Sequence, residues 1–245
     1  MNPLSVQLYT VRDLMAEPRA VLTRLAEIGY GAVEPYDILT DPTGFRALVD
    51  ELGLKVSSAH APVLGDQSEA VFAAAKTIGT DTVIVPHLDP ARWADADGIA
   101  SIAKDLNAAA EKAADQGLRV GYHNHWFELE SSVDGRHGLE VLADQVSDDV
   151  VLEVDTYWAQ VGGADVPALL KRLGDKVRYL HVKDGPAKNR EDAMTAVGGG
   201  VMPVAEILAA NPAVEWHVVE LDRCDTDMVT ALADSYTYLS TSGVR

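Results

Sequence analysis

Two patterns of apolar and polar residues alternate along this chain from end to end. Short runs rich in Val, Ile, Tyr and His, with side chains alternating at a period of two, give way to longer stretches in which apolar residues recur every three or four positions. The short runs predict strands at Ser5–Tyr9, Ala32–Tyr36, Lys55–His60, Thr82–His87, Arg119–His125, Val150–Asp155, Val177–Lys183 and Glu215–Leu221. The longer stretches predict helices at Ala16–Ile28, Pro42–Leu52, Ser68–Ile78, Asp97–Gln116, Gly138–Gln145, Val166–Leu173, Val204–Ala209 and near Thr226–Leu239. Asp41-Pro42 reads as a cap and first helical residue, and Gly29, Gly53, Gly79, Gly117 and Gly174 each follow a helical pattern as terminating glycines do. Strands alternating with helices imply βαβ units and a parallel sheet. Eight such units match a closed (β/α)8 TIM barrel, which takes about 250 residues, and the chain has 245, read as one domain over residues 1–245. An open doubly wound sheet would carry a glycine fingerprint in its first βα turn. Here that turn reads Tyr9-Thr10-Val11-Arg12-Asp13, and Gly198-Gly199-Gly200 comes too late, so it is read as a flexible loop.

In such a barrel the strand C-terminal ends build the active site. His60, His87, His123, His125 and His181 end or nearly end predicted strands, as do Asp155, Glu34 and Glu220. Alternation puts His123 with His125 on one face and His181 with Lys183 on another. It places Glu220 opposite to His217, which is expected to pack against a helix. His137, after Asp134-Gly135, reads as loop surface. Imidazoles and carboxylates without thiolates suit a hard or borderline divalent ion, one per chain, Mn2+ first, with Mg2+, Co2+ or Zn2+ as alternatives. The spacing leaves open which of these residues bind it.

Composition narrows the partners. A net charge of −18, from 38 Asp and Glu against 20 Lys and Arg, opposes binding to a phosphate backbone, so no nucleic-acid partner is expected. No apolar run approaches the roughly 20 residues that span a bilayer, so no membrane partner is expected either. The single cysteine, Cys224, fits a reducing compartment, and Met1-Asn2-Pro3-Leu4 lacks the pattern of a secretory leader, which together point to the cytoplasm.

At these residues the chain resembles the xylose isomerase-like TIM-barrel family of sugar phosphate isomerases and epimerases. The resemblance rests on Gln7-Leu8-Tyr9-Thr10-Val11-Arg12-Asp13, Tyr122-His123-Asn124-His125-x-x-Glu128 and Glu153-x-Asp155-x-Tyr157-Trp158 with Gly162-Gly163-x-Asp165. It continues through His181-Val182-Lys183-Asp184, Gly199-Gly200-Val201, Val219-Glu220-x-Asp222 and Ser235-x-x-x-Leu239. It implies a divalent metal at the barrel mouth with ligands from the last four strands, three of them Asp155, His181 and Glu220. The ketose epimerase branch has a glutamate as fifth-strand ligand. This chain has His123 there, so either His123 ligates or Glu128 folds back to do so. Trp158 stands where DNA-repair relatives place a metal-binding histidine, which argues for one metal rather than three.

The implied activity is a metal-dependent isomerase or epimerase acting on a sugar or polyol ketone. It works by proton abstraction beside the bound carbonyl to give an enediolate. The alternative is a lyase or dehydratase acting on a keto-sugar, keto-inositol or 3-keto-glycoside, and a non-catalytic sugar-binding or partner subunit comes third. Glu220 is the expected general base. Lys183 is expected to stabilise an enolate oxygen or to form a structural ion pair with Glu220 or Asp155. A departing hydroxyl needs an acid, for which His123, His125 and Lys183 are the candidates. Arg12, Glu34, His60 and Trp158 are expected at substrate-binding positions. Barrels of this type often associate, so a homo-oligomer is compatible with the chain, although no surface stripe identifies an interface.

Overall fold

The computed structural model describes residues 3–241. Its main sheet contains nine parallel segments: β1 (Leu4–Gln7), β2 (Ala32–Glu34), β3 (Lys55–Val56), β4 (Ala59–His60), β5 (Thr82–Val85), β6 (Arg119–His123), β9 (Val150–Asp155), β10 (Val177–Val182) and β11 (Trp216–Val219). Between β6 and β9 an antiparallel hairpin pairs β7 (Ser132–Val133) with β8 (Arg136–His137). The order is β3-β2-β1-β11-β10-β9-β6-β5-β4, so the two ends of the sheet are the two halves of one predicted strand. That strand breaks at Ser57-Ser58. The Ser57 and His60 amides donate to Val33 and Pro35 on one side (3.1 and 2.9 Å), while the Ala61 amide donates to Ile84 on the other (3.0 Å). The barrel is thereby nearly closed. The break follows from what the serines do inside it: Ser57 Oγ lies 2.8 Å from Ser5 Oγ, and Ser58 Oγ donates to Glu34 Oε1.

Helices α1 (Pro18–Ile28), α2 (Pro42–Glu51), α3 (Ser68–Ile78), α4 (Ala96–Ala114), α6 (Gly138–Gln145), α8 (Val166–Leu173), α9 (Val204–Ala209) and α10 (Met228–Thr241) are the eight that the pattern predicts. The α2 cap forms as expected, with Asp41 Oδ1 accepting from the Gly44 amide at 2.9 Å. Two short helices, α5 (Phe127–Glu130) and α7 (Thr156–Val161), go beyond it: α5 has four residues, too few to show a period, and α7 starts directly where β9 ends. Residues Leu8–Leu14 form a 3-10 helix, so the first strand ends at Gln7, before the expected Tyr9, and the expected turn at Tyr9–Asp13 is helical. His137, expected as loop surface, instead caps α6: its amide donates to Glu140 Oε2 at 3.2 Å and its Nδ1 bonds the Leu129 carbonyl. His217 is buried on the outward side of β11, with neither ring nitrogen hydrogen-bonded among the described residues. No described helix is long and apolar enough to cross a membrane. Met1 and Asn2, which the leader reading uses, lie outside the described residues.

The triple glycine is pinned rather than flexible. Asp184 Oδ1 accepts from the Gly185 and Met202 amides (2.8 and 3.0 Å), and Asp184 Oδ2 accepts from the Gly198 amide (2.9 Å). A Cβ on Gly200 would sit 2.1 Å from Asp184 Oδ1, so glycine is needed for this close approach.

Inside the barrel the lower layer is apolar and the upper layer polar. Ile84, Val151 and Tyr179 fill the lower layer, with Trp216 packed against them. Tyr179 Oη donates to Thr82 Oγ1 at 2.9 Å, which meets its hydrogen-bonding need. Gly121 leaves the room these side chains occupy: a Cβ there would meet Ile84 Cδ1 at 2.4 Å and Val151 Cγ2 at 3.0 Å. Gly121→Val should therefore overpack the interior and lower stability by about 1–3 kcal/mol, read from denaturant melts; an unchanged midpoint would show that the layer has slack.

Candidate metal centre

The polar layer stands at the C-terminal ends of the strands because parallel register levels those ends: His123 pairs with Glu153, and His181 pairs with Asp155. Above it opens a cavity of about 530 Å³, a volume typical of small-molecule sites, lined by His60, His123, His125, Trp158, Lys183, Glu220 and Asp222 among others. The ligand atoms of His123 and Glu220, which line it, and of Asp155 and His181, which lie outside its lining, are all within 4.8 Å of one another, and all four residues are buried. A second group, His60, His123, Glu153 and His181, meets the same criterion one layer deeper.

Local structure aims each side chain. Asp155 ends β9 and caps α7, its Oδ1 accepting from the Trp158 amide at 2.9 Å, which leaves the buried Oδ2 to face the Lys183 ammonium. Asn124 ties the ends of β6 and β9: its Oδ1 accepts from the Asp155 amide (3.0 Å) and its Nδ2 donates to the Asp155 carbonyl (3.3 Å). This bond explains the asparagine between the two histidines. Lys183 is 1% exposed and its ammonium sits 2.8 Å from Asp155 Oδ2, 2.6 Å from Glu220 Oε2 and 2.7 Å from Asp222 Oδ2.

Charge states follow from these contacts. Burial disfavours the Lys183 ammonium, but Asp155, Asp222 and Glu220 outweigh it and hold the pKa well above the usual lysine range. Burial also disfavours charge on Glu220, yet Lys183 and His181 keep its carboxyl well below the usual range. Asp155 is pushed up to about 6 by burial, against the pull of Lys183. His181 lies between Glu34 Oε2 and Glu220 Oε2, 2.7 Å from each, and despite burial Glu153, Glu220 and Glu34 raise its pKa well above the usual value. Burial lowers His123 to about 3 and His125 to about 2, so both are neutral.

The expected site residues do not all reach the cavity. His60, His123, His125, Trp158, Lys183 and Glu220 line it. Glu34 and Arg12, expected against substrate, are outside that lining. Glu34 is fully buried beneath it, taking hydrogen bonds from Gln7 Nε2 (2.7 Å) and Ser58 Oγ. Arg12 donates to the Tyr9 and Asp222 carbonyls (2.9 and 3.0 Å) and lies over the Tyr9 ring, so it ties two rim loops together. Glu128 stays outside both ligand groups. Its Oε1 accepts from Tyr122 Oη (2.5 Å) and its Oε2 from the His125 amide (2.8 Å). The sequence reading gave Glu153 no role, although it shares Asp155's face at a spacing of two. That period was the available signal. Its Oε2 lies 2.6 Å from His60 Nε2, 3.0 Å from His123 Nδ1 and 3.1 Å from His181 Nε2.

Residues 22–220 match the family described as xylose isomerase-like TIM barrel. An inosose dehydratase from Geobacillus kaustophilus is 27% identical over 190 residues, covering 67% of this chain and 61% of that relative, so the chain spans less than two thirds of its length. Among solved structures, a sugar phosphate isomerase/epimerase from Parabacteroides distasonis superposes with a TM-score of 0.83 at 22% identity, over 99% of this chain and 95% of its own. The IolI protein with a zinc atom bound superposes with a TM-score of 0.73 at 15% identity, over 100% of this chain and 99% of its own. At these identities the two structures speak for the fold.

The buried Glu128 carries a pH dependence. Burial pushes its carboxyl up to about 8, against the hydrogen bonds from Tyr122 and the His125 amide. The folded state therefore holds this proton more tightly than the unfolded chain, and stability falls as pH rises from the unfolded value near 4.3 toward 8. Glu128→Gln is expected to flatten that slope in urea melts across the same range. A slope unchanged by the substitution would mean that the carboxylate is ionised throughout.

Proposed function

Because the chain belongs to the xylose isomerase-like TIM barrel family, we propose that it is a divalent-metal enzyme that removes a proton beside the carbonyl of a keto-sugar or keto-cyclitol and expels a β-hydroxyl as water. The observation that carries this reading is the buried convergence of His123, Asp155, His181 and Glu220, two of which, His123 and Glu220, line the cavity. The donor set fits a divalent ion. It combines imidazoles with carboxylates and contains no thiolate. A bound Mn2+, or Mg2+, Co2+ or Zn2+ in its place, would polarise the substrate carbonyl and favour ionisation of the adjacent C–H bond.

The chain's own groups then divide the proton work. Glu220, kept ionised by Lys183 and His181, takes the proton from carbon before the C–O bond at the β-position breaks. Lys183 gives its ammonium proton to the departing hydroxyl, and water leaves. Glu220 and Lys183 end as neutral acid and amine 2.6 Å apart, so one proton transfer between them restores both charges. His125 is neutral, with a buried Nδ1 that has no partner, and suits a hydrogen bond from a substrate hydroxyl. His60 and Trp158 are the remaining substrate-facing candidates from the polar and aromatic walls.

Elimination is favoured over epimerisation by where the carboxylates lie. Inverting a carbon needs proton-transferring groups on both faces. The carboxylates lining the cavity, Glu220 and Asp222, both follow β11, whereas the rim after β5 and β6 supplies imidazoles and apolar side chains. The curated dehydratase relative supports the same outcome. Isomerisation is the second reading, because a single base on one face can return its proton to the neighbouring carbon.

Loading the protein with Mn2+ and incubating it with keto-inositols and ketoses in D2O separates these readings. Elimination gives deuterium exchange and loss of one water, seen by NMR and mass; isomerisation gives exchange without loss. Asp155→Asn and Glu220→Gln should each weaken metal binding, and Lys183→Met should lower elimination by about 10²–10⁴-fold while proton exchange persists. A wild-type protein that binds no metal, or exchanges no proton with any polyol ketone, would sink the proposal.

A further inference from the structure

We propose that Glu153, backed by Glu34, is a positioning carboxylate that turns His123 and His181 so that Nε2 of the first and Nδ1 of the second face the ion. This rests on the reading that His123, Asp155, His181 and Glu220 hold a divalent ion. Two groups of candidate ligands share His123 and His181, and the ring edges decide between them. His123 turns Nδ1 toward Glu153 Oε2 at 3.0 Å, and its other nitrogen, Nε2, faces Asp155 Oδ2 at 3.8 Å. His181 turns Nε2 toward Glu34 Oε2 at 2.7 Å and Glu153 Oε2 at 3.1 Å, and its Nδ1 faces Glu220.

A carboxylate that faces a ring nitrogen accepts its hydrogen, so His123 carries its hydrogen on Nδ1 and offers the Nε2 lone pair, whereas His181 is hydrogen-bonded on both edges and a bound ion would take the place of its Nδ1 hydrogen. Both rings thus turn one edge to the Asp155–Glu220 side, where the ion would sit, and the other to the Glu153–Glu34 side. His60 Nε2, 2.6 Å from Glu153 Oε2, completes the deeper layer. The deeper group of four is accordingly a hydrogen-bonded support for the upper one, not a second cation site. Glu153 Oε1 is buried with no partner, a cost that arises because Oε2 is aimed at three rings. Glu34 is fixed in turn by Gln7 on β1 and by Ser58 at the break between β3 and β4. The first half of the barrel therefore acts on a metal centre whose ligands come from the second half.

The test is metal affinity, measured on chelator-stripped full-length protein by competing Zn2+ and Co2+ against a chromophoric chelator. Glu153→Gln should keep one site per chain, bind about 10–100-fold more weakly and change the visible Co2+ spectrum. Glu34→Gln, which acts through His181 alone, should lose less, and Asp155→Asn should lose most. Unchanged affinity and spectrum in Glu153→Gln would overturn the inference. So would abolished binding in Glu153→Gln with binding retained in Asp155→Asn, which would make Glu153 itself a ligand. In case Glu153→Gln does not fold, nitrogen NMR of the zinc-loaded wild type reads the same point: hydrogen on His123 Nδ1 and His181 Nε2 is expected, and the opposite tautomers would refute it. A wild type without metal would instead defeat the metal reading on which this rests.

Discussion

Mutual neutralisation of buried charge is the constraint on which this molecule depends. Glu34, Glu153, Asp155 and Glu220, with Lys183, His60, His123 and His181, are withdrawn from water at one end of the barrel. An isolated charge in such a place is costly, and the group persists because each member is held by another. Lys183 answers Asp155, Glu220 and Asp222, while Glu153 answers three imidazoles. The apolar layer below and the loops above can be read as the enclosure that keeps this set in register.

The enclosure has identifiable parts. Parallel pairing levels the strand ends, so that side chains distant in sequence meet in one plane. Asn124 locks the end of β6 to that of β9, and Asp155 divides its two oxygens between a helix cap and the site. Asp184 pins the glycine loop after β10. Arg12 joins the first rim loop to the segment that carries Asp222. Arg12, expected at a substrate-binding position, thus lies outside the cavity lining and ties its rim.

The site is also asymmetric, and the asymmetry bears on chemistry. An ammonium and a carboxylate stand side by side after β10 and β11 as an ion pair. The opposite wall offers imidazole and apolar surface. The proposed removal of a proton and a hydroxyl from one substrate draws on that division.

Much of this was legible in the sequence, for physical reasons. Period-two runs of β-formers and period-3.6 stretches identified all eight barrel strands and eight of the helices, because burying one face imposes those periods. Parallel strands whose ends carry His and Asp or Glu pointed to a site at that rim, and His123, His181, Asp155, Glu220 and Lys183 do meet there. Tertiary structure alone decided the rest. The third strand's break depends on serine hydroxyls reaching Ser5 and Glu34, and α5, with four residues, is too short to show a period. Whether His123 or Glu128 faces the site turned on Tyr122 Oη and the His125 amide occupying Glu128. Glu153's place among three imidazoles, and Glu34's withdrawal beneath the cavity, arise from contacts across the barrel interior between residues 27 to 147 positions apart. Local periodicity specifies which way a side chain leaves its strand, and only closure of the barrel specifies which side chain it finds there.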